Sequence, residues 1–198
     1  MKTAQFNASA NKAILTIFLV LFAGMELLAL NLESHYKYDI PMCAALLIFV
    51  FMVRDVIHLS WLHFLLFALF LVIHCLGMFD YYELYPLGIE YDYWVHSIFG
   101  FISALVILRW LRMSELHLKR AVRIASTLVI VLGISAAHEL YEFAGAILLG
   151  SGEGVLFIGA GDLDQWDTQK DMLNNVIGGL IGIFISSSYN YYCTSKSR

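Results

Sequence analysis

The chain has 198 residues, 60% hydrophobic and 14% charged, with twelve Lys and Arg against sixteen Asp and Glu. Soluble domains average about half apolar and about a quarter charged residues, so the composition excludes a disordered, a collagenous and a soluble nucleic-acid-binding chain, and the net charge of −4 argues against phosphate-backbone contacts. Cys43, Cys75 and Cys193 are odd in number and far apart in sequence, which gives neither a disulfide framework nor a Cys-x-x-Cys motif.

What remains is an integral membrane protein with the lipid bilayer as its solvent. Crossing ~30 Å of hydrocarbon takes about 20 apolar helical residues. Ala13–Leu30 provides the first such run, interrupted only by Glu26. It exceeds a signal-peptide core and lacks a small-x-small cleavage site, so it is read as a retained helix. The second, Ile40–Val53, opens on Asp39 as N-cap and Pro41 in the first turn. It becomes a full span if it runs on to Leu59 with Arg54 snorkelling. Trp61–Phe79, Tyr93–Leu111, Val122–Leu149 and Met172–Tyr192 follow. The expected fold is all-α: a polytopic membrane helix bundle of about six transmembrane helices (13–30, 40–59, 61–79, 93–111, 122–149, 172–192), one integral domain over 1–198.

Charge orients the bundle. With both termini cytoplasmic, ten of the twelve basic residues face inward and only Lys37 and Lys170 face out, as the positive-inside rule requires. Tyr81, Tyr82, Tyr85, Tyr91, Tyr93 and Trp94 cluster at the second outer connection as an aromatic belt. The Gly-rich stretch 150–162 has no Gly-Lys-Ser/Thr after it and no strand before it, so it reads as a backbone-exposed loop rather than a phosphate loop.

The acids are distributed the opposite way. Of sixteen, only Asp55 and Glu115 fall inside. Solvent explains acids in loops but not those within apolar helices, where ionisable groups are costly and face an interior, a cavity or a partner. The fourth span opens YDYWVHS, with Asp92 and His96 at i,i+4. The fifth carries HELYE, with His138 and Glu142 at i,i+4 and Glu139 and Glu142 at i,i+3. The sixth begins WDTQKDM and sets Asp167, Asp171 and Asn175 along one face, followed by Gly178, Gly179 and Gly182, small enough for close helix packing. Three helices thus bring imidazole and carboxylate to one depth near the outer boundary.

His96, Glu139, Glu142, Asp167 and Asp171 form the candidate metal-ligand set. Asp92, His138, Asp162, Thr168, Gln169 and Asn175 are candidates for orienting those ligands or meeting substrate. Oxygen-rich ligation suits Mg, Ca or Mn, and imidazole extends the choice to Zn or Fe. A protonated polar network and a site for a cationic substrate or ion pathway are the alternatives. The Glu-x-x-His pair of di-iron bundles is absent. Glu26 and His74 are open as further contributors, His74 reading first as a packing residue, and His58 and His63 read as interfacial. No catalytic nucleophile can be named. The functional expectation is a metal-dependent enzyme acting on a lipid-linked or amphipathic substrate at the outer leaflet. A small transporter or proton relay, and a purely structural network, are the other two classes.

The motifs YDYWVHS, HELYE and WDTQKDM, the last preceded by Gly161 and Asp162, resemble the YjdF-type bacterial inner-membrane proteins, a domain family of unknown function. The chain is also distantly similar to VanZ-like membrane proteins. The first resemblance runs from Ala13 to Tyr192 and matches Asp92, His96, Glu139, Glu142, Trp166, Asp167, Thr168, Gln169, Asp171, Met172 and Gly178. Asp164 and Gln165 look inserted, and Lys170 stands where an aromatic is expected. The resemblance implies a bacterial cytoplasmic membrane and a shared fold, and brings no reaction or cofactor.

Overall fold

The computed structural model describes residues 2–32, 39–149 and 166–196. Among these lie six α-helices and no strand: α1 Lys2–Asn31, α2 Asp39–Val53, α3 Trp61–Leu76, α4 Tyr91–Met113, α5 Arg120–Leu149 and α6 Asp167–Lys196. Three 3-10 turns, Gly77–Phe79, Tyr81–Glu83 and Pro86–Gly88, fill the connection from α3 to α4. The Gly-rich stretch 150–162, including Asp162, lies outside the described residues.

Polarity is inverted relative to a bundle built for water. Val20, Leu27, Val129 and Phe184 are 64–72% exposed, while Asn11, Asp39, Thr127, Ser135, Asp171 and Asn175 are buried. A lipid-facing surface gains nothing from polar groups, which must find partners inside. Among the described residues, three segments are long and apolar enough to cross a membrane: Asn7–Asn31, Tyr91–Met113 and Arg120–Ala144. Helices α2 and α3 are apolar but shorter. At ~1.5 Å per residue they reach roughly 22–24 Å.

Helix α2 stops at Val53 rather than continuing to Leu59. Arg54 does not extend outward; it folds back. Its Nη1 donates to the Phe51 carbonyl at 2.6 Å and its guanidinium lies 4.1 Å from the Phe51 ring centroid. His58 then takes a left-handed φ of 51°, and Arg109 from α4 donates Nε to the His58 carbonyl at 2.6 Å. Ser60 Oγ and His63 Nδ1, 2.5 Å apart, close the first turn of α3. Cys43 and Cys75 meet in the core between α2 and α3 as free thiols.

Two apolar cores share α4. Phe22, Ile40, Leu47, Phe64 and Leu71 pack with Tyr91, Val95 and Ile102 in the first. Ala104, Leu108, Val131 and Ile183 make the second, between α4, α5 and α6. The most extensive helix pair is α4 with α6, and glycine makes it possible. A Cβ on Gly100 would overlap the Asn175 carbonyl, and one on Gly178 would overlap that of Ser97. On Gly182 it would sit 2.7 Å from the Phe101 carbonyl oxygen. Backbones can approach this closely only where side chains are missing. The matched steps Ser97 to Phe101 and Gly178 to Gly182 make α4 and α6 parallel, so both N-termini lie at one end of the bundle.

Candidate functional site

The first turn of α4 is fixed by the connection before it. The Tyr91 N–H donates to the Leu84 carbonyl at 3.0 Å, its hydroxyl to the Ile73 carbonyl at 2.7 Å, and the Trp94 indole to the Pro86 carbonyl at 3.3 Å. With α4 held in this rotation, Asp92 and His96, one turn apart, meet Asp171 and Asn175, one turn apart on α6. His96 Nε2 lies 3.5 Å from Asp92 Oδ1 and 3.7 Å from Asp171 Oδ2. Asp92, His96 and Asp171 each offer one ligand atom, all within 4.8 Å of one another.

On the other side of the ring, Asn175 Nδ2 stands 3.0 Å from His96 Nδ1 and donates to Ser135 Oγ at 2.7 Å. One amide therefore joins α4, α5 and α6. Its side chain is 1% exposed. The α4–α6 approach through Gly100 and Gly178 makes that reach possible.

The distances bear on chemistry. Charge-assisted N–H···O bonds run about 2.7–2.9 Å, shorter than either His96–carboxylate contact. Two ligands on one tetrahedral ion, each about 2.0–2.1 Å from it, stand about 3.3–3.4 Å apart. Asp171 Oδ1, Asn175 Oδ1 and Glu139 Oε1 are buried with no hydrogen-bond partner. Unsatisfied buried polar atoms are few in native proteins and cost about 1–3 kcal/mol or more each. Two of these oxygens, on Asp171 and Asn175, belong to residues packed against the His96 ring, and the donor set of the close group, one imidazole and two carboxylates, suits Mn, Zn or Fe.

Helix α5 contributes an adjacent pair. His138 Nε2 is 3.3 Å from Glu142 Oε1, and the His138 and His96 ring centroids are 6.1 Å apart. Glu139 is buried on the same helix, with Thr168 of α6 beside it. Asp167 is half-buried one turn before Asp171, and Gln169 is exposed. Asp92, expected to orient the His96 ring, is itself a member of the close group. Glu26 sits half-buried on α1, which packs against α2 and α3.

Two participants escaped sequence reasoning. Ser135 precedes Glu139 by one helical turn, a spacing that was available as a signal. Tyr82, read as part of an aromatic belt, turns inward: its hydroxyl lies 3.2 Å from His74 Nδ1, and its ring meets Tyr91 edge-on at 5.5 Å. Burial, then the charges of Asp92 and Glu142, push the Tyr82 phenol well above its ordinary pKa, so it remains protonated beside the cluster.

Residues 10–191 match the model of a family described as predicted membrane protein (DUF2238). No curated protein and no solved structure matches the chain, and the distant similarity to VanZ-like proteins gains no support from these comparisons. The match covers most of the chain, so the protein belongs to this predicted membrane protein family.

Proposed function

For a member of that family we propose a divalent-metal-binding membrane protein, with the ion held by Asp92, His96 and Asp171. The carrying observation is that three ligand atoms from two helices converge within 4.8 Å around an imidazole whose carboxylate contacts are too long for hydrogen bonds. Three protein ligands with a further position open is the pattern of catalytic rather than closed structural metal sites. Asp92 is the solvent-facing member, its side chain 26% exposed.

The site belongs, in this reading, to the outer face of a bacterial cytoplasmic membrane. Arg109, Arg112, Lys119, Arg120 and Arg123 gather at the ends of α4 and α5 remote from it, which supports a cytoplasmic location for those ends. Tyr91, Tyr93 and Trp94 stand with Asp92 in the first turn of α4, and aromatic side chains favour the membrane interface. An ion there suits the polar group of a lipid-linked or amphipathic substrate, and a metal-dependent enzyme is the activity class. Passage through the membrane is disfavoured. Below Asn175 the helices close on glycine–backbone contacts and on Ala104, Leu108, Val131 and Ile183, and the buried Thr127 hydroxyl is bonded to the Arg123 carbonyl at 2.8 Å.

Elemental analysis of detergent-purified protein, reloaded with Mn²⁺ or Zn²⁺ and desalted, tests the binding. Wild type retains at least one ion per chain and Asp171→Asn loses the ion held by that carboxylate. Wild-type protein that retains none overturns the proposal.

A further inference from the structure

We infer that Cys43 of α2 and Cys75 of α3 are a disulfide-forming pair, a covalent modification site that ties the two helices together. Both are 0% exposed and belong to one apolar cluster. Their side chains hydrogen-bond to each other across the contact between α2 and α3. A disulfide needs Cα atoms within about 7 Å and Cβ vectors that converge. Thiols that bond to one another from two packed helices already point together.

The position of the pair favours a bond over packing alone. A single buried cysteine packs as a small hydrophobe, and an S–H to sulfur contact is weak. Here two cysteines from separate helices meet at one particular level. Cys43 is one turn into α2, and Cys75 is the next-to-last residue of α3. These helices form an antiparallel hairpin whose closed end is held by the Arg109 bond to the His58 carbonyl and by the contact of Ser60 with His63. Cys43 and Cys75 stand at the open end. A cross-link there closes nearly the longest loop the hairpin offers, and a longer loop constrains the unfolded chain more.

The open end is also the end from which α4 starts. The Tyr91 hydroxyl, next to Asp92, donates to the carbonyl of Ile73, two residues before Cys75. The inference therefore rests on the outward-facing reading above for its redox environment: both cysteines lie towards the periplasm, where disulfides form and persist. The oxidant is a disulfide-bearing molecule or protein. A thiolate of the pair attacks one of its sulfurs to give a mixed disulfide, and the second cysteine then displaces that sulfur. The bond from Cys43 Sγ to Cys75 Sγ forms, the disulfide of the oxidant breaks, and its two sulfurs leave as thiols with the two protons and two electrons. With both sulfurs buried in the packed bundle, exchange precedes the closing of α2 on α3. The finished bond is then shielded from soluble reductants.

The test counts thiols in the full chain. Cells are quenched in acid to stop exchange, and the protein is denatured and tagged with a maleimide polymer that adds one mass step per free thiol. Cys193 is the third cysteine, so wild type takes one tag without reductant and three after reduction, and its digest contains the Cys43 peptide joined to the Cys75 peptide. Cys43→Ala and Cys75→Ala each take two tags with or without reductant. Three tags in unreduced wild type overturn the inference, as does a linkage to Cys193 in place of the Cys43–Cys75 one. The wild-type count needs no variant, so a misfolded substitution does not rescue the inference. Reporter fusions after Gly88 and Lys119 decide the outward-facing reading by themselves, and the ion count decides the metal reading, so each failure is told from the others.

Discussion

Asn175 decides which nitrogen of His96 is available. With its NH₂ directed at Nδ1, a neutral imidazole carries its proton on Nε2, facing Asp92 and Asp171. A metal needs the Nε2 lone pair, so on loading the proton must sit on Nδ1 and the amide must turn its carbonyl to accept it. The Ser135 hydroxyl can follow, since it both donates and accepts. Asn175→Leu removes this support and lowers metal affinity about 10–100-fold, while Asn175→Asp, which accepts from Nδ1–H, keeps it. Calorimetric titration with Zn²⁺ distinguishes them; equal affinities for the two variants contradict the role. Because every ligand binds in its deprotonated form, affinity falls as pH falls and binding releases protons. His96, Asp171 and Asn175 were legible as i,i+4 steps on apolar helices. Ser135 carried the same kind of signal, one turn before Glu139, but serine in an apolar helix commonly bonds its own backbone. Tyr82 escaped because its inward turn depends on local geometry, with Asp80 at a φ of 65°, that no hydrophobic period encodes.

The α4–α6 pair carries the site, and its glycines are not equivalent. Gly178→Ala drives a methyl group into the Ser97 carbonyl, with backbone on both sides and nothing flexible to yield. Overpacking typically costs about 1–3 kcal/mol, and here the relief is separation of the helices that bring Asn175 to His96. Gly179→Ala meets only ordinary contacts at 3.7 Å from Gly100, Leu128 and Val131. The expected outcome is a lowered melting temperature and lost metal for Gly178→Ala, with near wild-type behaviour for Gly179→Ala. Equal effects on thermal unfolding and metal content would remove the close-approach explanation. The close-packing role of Gly178 and Gly182 could be read from sequence, since small residues four apart beside an acidic helix start mark a tight pair. The early end of α2 could not. Hydropathy continues past Val53 through Val56, Ile57 and Leu59, and the break is made by Arg54 folding onto Phe51 and by a tertiary bond from Arg109.

At the scale of the whole molecule, apolar exposure and polar burial agree with the family match to membrane proteins. The helix count was readable because apolar runs are long, and the convergence of His96 and Asp171 because both helices begin with their polar turn at the same end. The pairing of His138 with Glu142 was visible as spacing; its 6.1 Å approach to the His96 ring required the packed bundle. Orientation is testable directly: reporter fusions after Gly88 and after Lys119 should report the periplasm and the cytoplasm respectively, and reversed signals contradict an outward-facing site. The most direct measurement of the central claim is X-ray absorption at the zinc edge on Zn²⁺-loaded protein. Binding at Asp92, His96 and Asp171 gives nitrogen and oxygen neighbours at about 2.0–2.2 Å with the outer-shell scattering of imidazole. That scattering weakens in His96→Ala. An all-oxygen shell without imidazole, or sulfur at about 2.3 Å, contradicts it.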